Sequence, residues 1–223
     1  MTIFPGPGEP LALPWQVMDL GDMLRLLEGA TPNPVGRPRV VAIDGRSGNG
    51  KSTLANRIQQ VVTLSTIVHT DDIAWHHGFF DWSDLLVEGV LRPVWGGEAV
   101  SYRPPGWQRH GRPGAVTVPA GQRLLIIEGV GASRSVLVPW IDNAVWVQAD
   151  VREAERRGIL RDGGTDEARA FWQEWMDEEV PFLERDQPWQ RADLIVAGTP
   201  DVPHDAATQV VVAPSPRLGA DPH

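Results

Sequence analysis

Apolar residues follow two alternating rhythms along the chain. Over residues 16–28, Val17, Leu20, Leu24 and Leu27 recur at three- and four-residue steps, which predicts one amphipathic helix. The run Thr31-Pro32-Asn33-Pro34 stops it. Val40-Val41-Ala42-Ile43 is instead continuously apolar and reads as a core strand. A helix beginning at Lys51 follows, with Leu54, Ile58 and Val61 or Val62 on its inner face. Residues 65–70 form a short β-rich run ending in Asp71-Asp72, and residues 124–127 form a second continuous apolar run ending in Glu128-Gly129. Residues 144–149 and 191–198 read as further strands, the second as the last core strand with its exit loop. Residues 152–161 and 166–184 read as helices, the latter carrying Phe171, Trp172, Trp175 and Met176 as a packing stripe. Strands that alternate with helices predict an α/β fold of about five parallel strands with helices on both faces.

Three stretches break this rhythm. Residues 1–14 are rich in Pro and Gly and are expected to lie loosely over the surface with no visible chemistry. Residues 75–107 hold four of the ten tryptophans, Phe79-Phe80 and the only tyrosine, Tyr102. Such a segment either packs a small subdomain or stacks on a ligand ring. Residues past about 213 are Pro-rich and expected to be loose. The resulting division is an N-terminal extension with its helix (1–38), a main domain (39–213) with an insertion at about 75–117 and a lid at about 152–170, and a flexible tail (214–223).

The segment between the first core strand and its helix is Gly45-Arg46-Ser47-Gly48-Asn49-Gly50-Lys51-Ser52-Thr53. Gly-x-x-x-x-Gly-Lys-Ser between a strand and a helix is the P-loop pattern. Its backbone N–H groups and the helix N-terminus cradle phosphate oxygens. Lys51 is placed to reach the β- and γ-phosphates of a nucleotide, and Ser52 to ligate Mg²⁺. Lys51 is also the only lysine in the chain, the rest of its 20 Lys and Arg residues being arginine. A position that keeps Lys in so Arg-rich a chain calls for a compact ammonium.

Asp71 and Asp72 follow a strand, at the edge where open α/β sheets bind ligands. Asp pairs in isolation more often cap helices; beside a P-loop they supply the carboxylate that accepts the proton of an attacking hydroxyl. Glu128 reaches the same edge, as a Mg²⁺ ligand, an acceptor contact or a buried cap. Arg157 and Arg161 stand four apart on one helix face beside Gly163-Gly164, either as a solvated face or as a lid over phosphate charge. The net charge of −9 argues against general nucleic-acid binding. Without cysteine there is no disulfide framework, thiolate zinc site or cysteine nucleophile. No segment approaches the ~20 apolar residues of a membrane span, so a cytoplasmic location without membrane partners is expected.

Taken together, these pieces resemble the uridine kinase-like branch of the P-loop small-molecule kinases, among them actinobacterial-type uridine kinase-like ATP-binding proteins. The resemblance spans about residues 39–198 and rests on Ile43-Asp44-Gly45 through Thr53, Asp71, the stretch 97–112 with Tyr102, His110 and Arg112, Ile127-Glu128-Gly129, Arg157 to Asp162 and Arg191-Ala192-Asp193. It implies ATP as donor, Mg²⁺ held by Ser52, Glu128 and Asp71, and Asp71 as catalytic base with Asp72 close behind. It also implies Arg157 and Arg161 as lid arginines, and Asp72, Trp75, Tyr102, His110, Arg112 and Glu128 on the acceptor side. The chain departs from the family where Ile73-Ala74 replaces an aromatic pair and Tyr102-Arg103 replaces Tyr-Asp. The expected activity is transfer of the ATP γ-phosphate to a hydroxyl of a small molecule, with nucleosides among the candidates. A P-loop ATPase or a catalytically silent nucleotide sensor is the alternative. A regulatory GTPase is excluded, because its Asn-Lys-x-Asp motif needs a second lysine. Oligomeric state is left open, a homodimer included.

Overall fold

The computed structural model describes residues 3–215. A single seven-stranded sheet forms the middle layer, in the order β1 (Gln16–Asp19), β9 (Gln209–Pro214), β8 (Leu194–Ala197), β7 (Asn143–Gln148), β2 (Arg39–Gly45), β6 (Leu124–Glu128), β3 (Ser65–His69). The five strands from β8 to β3 are mutually parallel, as expected. Two strands absent from the sequence reading extend them: β9 runs antiparallel to β8, and β1 antiparallel to β9.

Side-chain alternation explains why the central strands read as unbroken apolar runs. Val41 and Ile43, Leu124 and Ile126, and Val145 and Val147 face helices α1 (Leu20–Ala30) and α2 (Lys51–Val61), meeting Met23, Leu27, Leu54 and Ile58. Val40, Ala42, Leu125 and Ile127 face the opposite layer, where Trp82, Leu86, Val90 and Trp107 of the insertion cover them. Trp146 and Ile195 meet Leu183 of the long helix α8 (Asp166–Asp186) on that same side. A parallel strand covered on both faces has no polar side to show.

The insertion is a small folded unit. Helix α4 (Ser83–Leu86), a π-type turn over Val87–Leu91 and α5 (Arg92–Trp95) form one helical run. It lies beside the two-stranded ribbon β4 (Val100–Tyr102) and β5 (Val116–Val118), with α6 (Pro105–Arg109) between the strands. No helix among the described residues is long and apolar enough to cross a membrane.

Three expectations are corrected. The helix expected from residue 16 begins at Leu20, because residues 16–19 pair with β9 instead. The strand at 191–198 is not the last, since Val210, Val211, Val212 and Ala213 form buried β9. The expected loose tail overlaps this strand at Pro214, and buried Ser215 follows it; residues 216–223 lie outside the described residues.

The N-terminal segment departs most from expectation. Ile3 is buried beside Ala197 and Val211, and Phe4 O accepts a hydrogen bond from Val151 N at 3.0 Å. Glu9 is buried and accepts from Trp146 Nε1 (2.5 Å), Gln148 Nε2 (2.7 Å) and Arg46 Nε (3.1 Å). Residues 3–12 are thus a strap tied to the back of the phosphate loop. Glu9→Ala strands the buried Arg46 guanidinium, and breaking a buried pair by removing one partner costs about 3–5 kcal/mol. Urea unfolding is expected to show a loss of that size, whereas a loss below about 1 kcal/mol, the scale of an exposed pair, would contradict the strap.

Candidate active site

Strand β2 delivers the loop at the carboxyl edge of the sheet. Gly45 has φ 151°, and a Cβ there would sit 2.6 Å from Val147 O, so no other residue fits. Just before it Asp44, fully buried, accepts from Gly45 N (2.7 Å) and from Gly131 N, Ser133 N and Ser133 Oγ (2.8 Å each). Burial pushes its carboxyl up from the ordinary range against the pull of these bonds. Asp44 therefore ties the loop that follows Glu128 to the loop that precedes Lys51.

A cavity of about 1080 Å³ opens above this edge. Ser47, Gly48, Gly50, Lys51, Ser52 and Thr53 line it, while Gly45, Arg46 and Asn49 do not. Arg46 turns back to Glu9 and donates to Pro7 O (2.6 Å), and Asn49 Nδ2 donates to Val147 O (2.7 Å). Gly50, at φ 93°, starts α2, so the first free amides of that helix face the cavity. Lys51 is buried with Nζ donating to Arg46 O at 3.0 Å, which keeps the ammonium folded across the loop.

The parallel register brings the acidic groups to the same edge. Glu128 lies beside Ile43 on one side and His69 on the other. Ser52 Oγ donates to Glu128 Oε1 at 3.0 Å, and His69 Nδ1 lies 2.5 Å from Glu128 Oε2. Burial works against ionisation of Glu128, but the His69 hydrogen bond and the charge of Lys51 outweigh it and hold the carboxyl below its ordinary value. That same hydrogen bond raises His69. Asp71, in the first turn of α3 (Thr70–Ala74), faces the cavity. Although part of its surface is open to the cavity, loss of water around its carboxylate raises its pKa; Lys51 pulls it down, Glu128 pushes it up, and Arg161 and His69 pull it down. Arg157 and Arg161 of α7 (Val151–Arg161) also line the cavity. Arg157 bonds Glu153 (2.8 Å) and Gly198 O (3.1 Å), and Arg161 bonds Asp162 (2.8 Å).

A pH dependence follows from the His69–Glu128 pair. The raised His69 contributes stability that is complete below its ordinary 6.5 and is lost as pH rises through its folded value. The lowered Glu128 contributes stability present above its ordinary 4.5 and lost as pH falls through its folded value. In nucleotide-free melts, His69→Ala is therefore expected to lower Tm most between those two ordinary values and least at alkaline pH. A deficit that stays flat with pH would contradict the pairing.

Of the residues assigned to the acceptor side, Trp75 and Glu128 line the cavity, and Asp72, Tyr102, His110 and Arg112 do not. Asp72 is paired to Arg112 at 2.7 Å, and Arg112 lies over the Trp107 ring at 3.8 Å. Tyr102 packs on Gly89, where any Cβ would strike its ring, and borders a separate shallow groove with Asp84 and Glu88. His110 stacks on His76.

Two groups escape sequence reasoning. Glu179 of α8, fully buried, accepts from Ser47 N (3.2 Å to Oε2) and from Trp175 Nε1 (2.6 Å), bracing the loop from behind. His69 offers only a strand-final position as a signal; its link to Glu128 appears once the register is known.

No protein-family model matches the chain, and no curated protein matches its sequence. Solved structures do match. One is titled a "Possible Uridine Kinase" from Bacillus stearothermophilus, 20% identical, with a TM-score of 0.50 over 78% of this chain and 98% of that one. Another is a "putative fructose transport system kinase" from Silicibacter sp. TM1040, 19% identical, with a TM-score of 0.52 over 78% of this chain and 96% of that one. At such identity the likeness concerns the fold, and with the phosphate loop, the parallel sheet and the insertion in these positions, the chain has the uridine kinase-like P-loop kinase fold.

Proposed function

We propose that the chain is a Mg²⁺-dependent phosphotransferase that moves the γ-phosphate of ATP to a hydroxyl of a small molecule. The observation that carries this reading is that Asp71 lines the same cavity as Lys51, Ser52, Glu128, Arg157 and Arg161. A hydrolase would also need a group to position its water, so the feature that favours an acceptor hydroxyl is the aromatic-lined space in the same cavity as Asp71. A carboxylate set just beyond the phosphate cradle, at the mouth of an aromatic-lined space, suits an acceptor hydroxyl.

Ser47 through Thr53 bind the phosphates through amides and the helix N-terminus. Lys51 leaves Arg46 O to meet the β- and γ-oxygens. Ser52 and Glu128 offer hydroxyl and carboxylate oxygens, the donor type that Mg²⁺ takes alongside substrate phosphates. The ion, when bound, neutralises charge on the phosphate oxygens. Asp71 accepts the hydroxyl proton as that oxygen bonds to the γ-phosphorus and the bond to the β–γ bridging oxygen breaks, so ADP leaves. Desolvation raises its pKa, which makes it a better proton acceptor than an ordinary Asp. Arg157 and Arg161 close on the transferring charge once they exchange their Glu153 and Asp162 partners for phosphate.

The test is a coupled assay of ADP release across a panel of nucleosides, sugars, cyclitols and aminoglycosides. Release is expected only with a suitable acceptor. Equal release with and without every acceptor would support an ATPase, and ATP binding with no release at all would support a sensor.

A further inference from the structure

The aromatic stripe of α8 does more than pack. Trp172, Trp175 and Glu179 follow at steps of three and four and so share one face of the helix. Each meets a different part of the site. Trp172 packs on Gly158, between Arg157 and Arg161, where any Cβ would strike its ring. Trp175 lines the cavity and stands edge-on to Phe79 at 5.1 Å. Glu179, fully buried and off the cavity wall, reaches the phosphate loop. Ser47 N lies 3.3 Å from its Oε1 and 3.2 Å from its Oε2, and Trp175 Nε1 donates to Oε2 at 2.6 Å. Among the described residues no cationic side chain pairs with this carboxylate, so these two N–H groups are what hold it.

The Ser47 amide belongs to a peptide unit whose other end also has partners. In a trans peptide the N–H and the preceding C=O point in opposite directions within one plane. Glu179 draws Ser47 N–H towards α8, which aims Arg46 O the other way, and there Arg46 O accepts from Lys51 Nζ at 3.0 Å and from Asn49 N at 3.2 Å. The resting place of the sole lysine is thus set by a carboxylate that bonds neither the lysine nor the cavity. This arrangement has one polarity only. Both oxygens of a carboxylate accept, so Glu179 serves the two N–H groups at once. A glutamine there keeps one oxygen, which the shorter Trp175 bond claims, and turns its NH2 on Ser47 N, donor against donor. Turning the Arg46–Ser47 peptide over relieves that conflict and takes Arg46 O away from Lys51.

We infer that Glu179 is a positioning residue of the donor site: through the Arg46–Ser47 peptide it fixes where Lys51 rests, and it shares the carboxylate that does so with Trp175 of the aromatic wall. The inference rests on the donor half of the phosphotransferase reading, so ATP binding by the wild-type full chain is measured first, by titration calorimetry. Two readouts are then compared among variants, well below each variant's Tm. One is the rate at which an amine-directed acylating reagent modifies Lys51 in the nucleotide-free protein, located by mass mapping; the other is the Kd for ATP. Glu179→Gln is expected to raise each by about fivefold or more, the scale of one lost hydrogen bond. Adding Trp175→Phe to Glu179→Gln removes the competing indole N–H and frees the amide oxygen for Ser47 N. That double variant is expected to return both readouts to within about twofold of the wild type, the non-additivity of groups that share a partner. Leu183→Ala, one turn further along α8 and fully buried, is expected to lower Tm by leaving a cavity and to change neither readout. A wild-type value of either readout in Glu179→Gln, no recovery in the double variant, or equal changes in Leu183→Ala overturns the inference and leaves the donor site standing. A wild-type chain that does not bind ATP overturns both.

Discussion

Asp71→Asn is expected to slow phosphoryl transfer by about 10²- to 10⁴-fold, the usual worth of a positioned general base, while ATP affinity stays near that of the wild type. The amide keeps the shape and polarity of the side chain but cannot accept the hydroxyl proton. Stability gives a second readout with a definite sign. Burial raises Asp71 above its ordinary 3.8, so the folded state favours the protonated form, and stability is lost as pH climbs through the unfolded and folded values. Asparagine removes that cost, so the variant should melt no lower than the wild type at neutral pH. Asp72→Asn tests the neighbouring carboxylate: Asp72 is spent on Arg112 and stands off the cavity wall, so transfer should survive its loss. Loss of transfer in Asp72→Asn with retention in Asp71→Asn would exchange their roles.

Lys51→Ala should cost about 10²- to 10³-fold in turnover, the scale for removing one preorganised charge from a developing anion, and should weaken ATP binding as well. Lys51→Arg is expected to fail almost as badly. Nζ sits buried at 3.0 Å from Arg46 O, in a space shaped for a compact ammonium, and a planar fork cannot fold there. The absence of any other lysine makes this site directly observable. Amine-directed acylation should modify Lys51 as the sole side-chain target, and ATP should protect it. Kinetics and mass mapping check both statements; an Arg variant with near wild-type turnover would remove Lys51 from its assigned role.

How far each feature could be read from the sequence depended on how local its cause is. The phosphate loop was legible because strand, glycines, lysine and helix are contiguous in residues 40–61. Strands β2, β6, β7 and β8 were legible because burial on both faces makes each largely apolar, whereas the half-buried edge strand β3 showed only a short β-rich run. Strand β1 was misread because Val17 and Leu20, three apart, satisfy a helical spacing; pairing with β9, nearly two hundred residues later in the chain, decides otherwise. The strap at residues 3–12 is Pro- and Gly-rich, which signals looseness when read alone, but Glu9 finds Arg46, Trp146 and Gln148 across the fold. Glu179 and His69 act through residues distant in sequence, so their own neighbours carry no trace of the role. Tyr102, His110 and Arg112 follow the family spacing while their side chains turn to Gly89, His76 and Asp72. Spacing preserved the backbone plan of the insertion but did not determine which of its faces meets the cavity.

The central claim is that this site hands phosphate to a hydroxyl and not to water. The direct measurement follows label from γ-³²P-ATP with Mg²⁺ and a bound acceptor, comparing wild type with Asp71→Asn. The label is expected in a phosphate ester of the acceptor, in equal amount to the ADP formed, and to vanish from that product in the variant. Label recovered only as inorganic phosphate, at a rate indifferent to the acceptor and to Asp71, would contradict it.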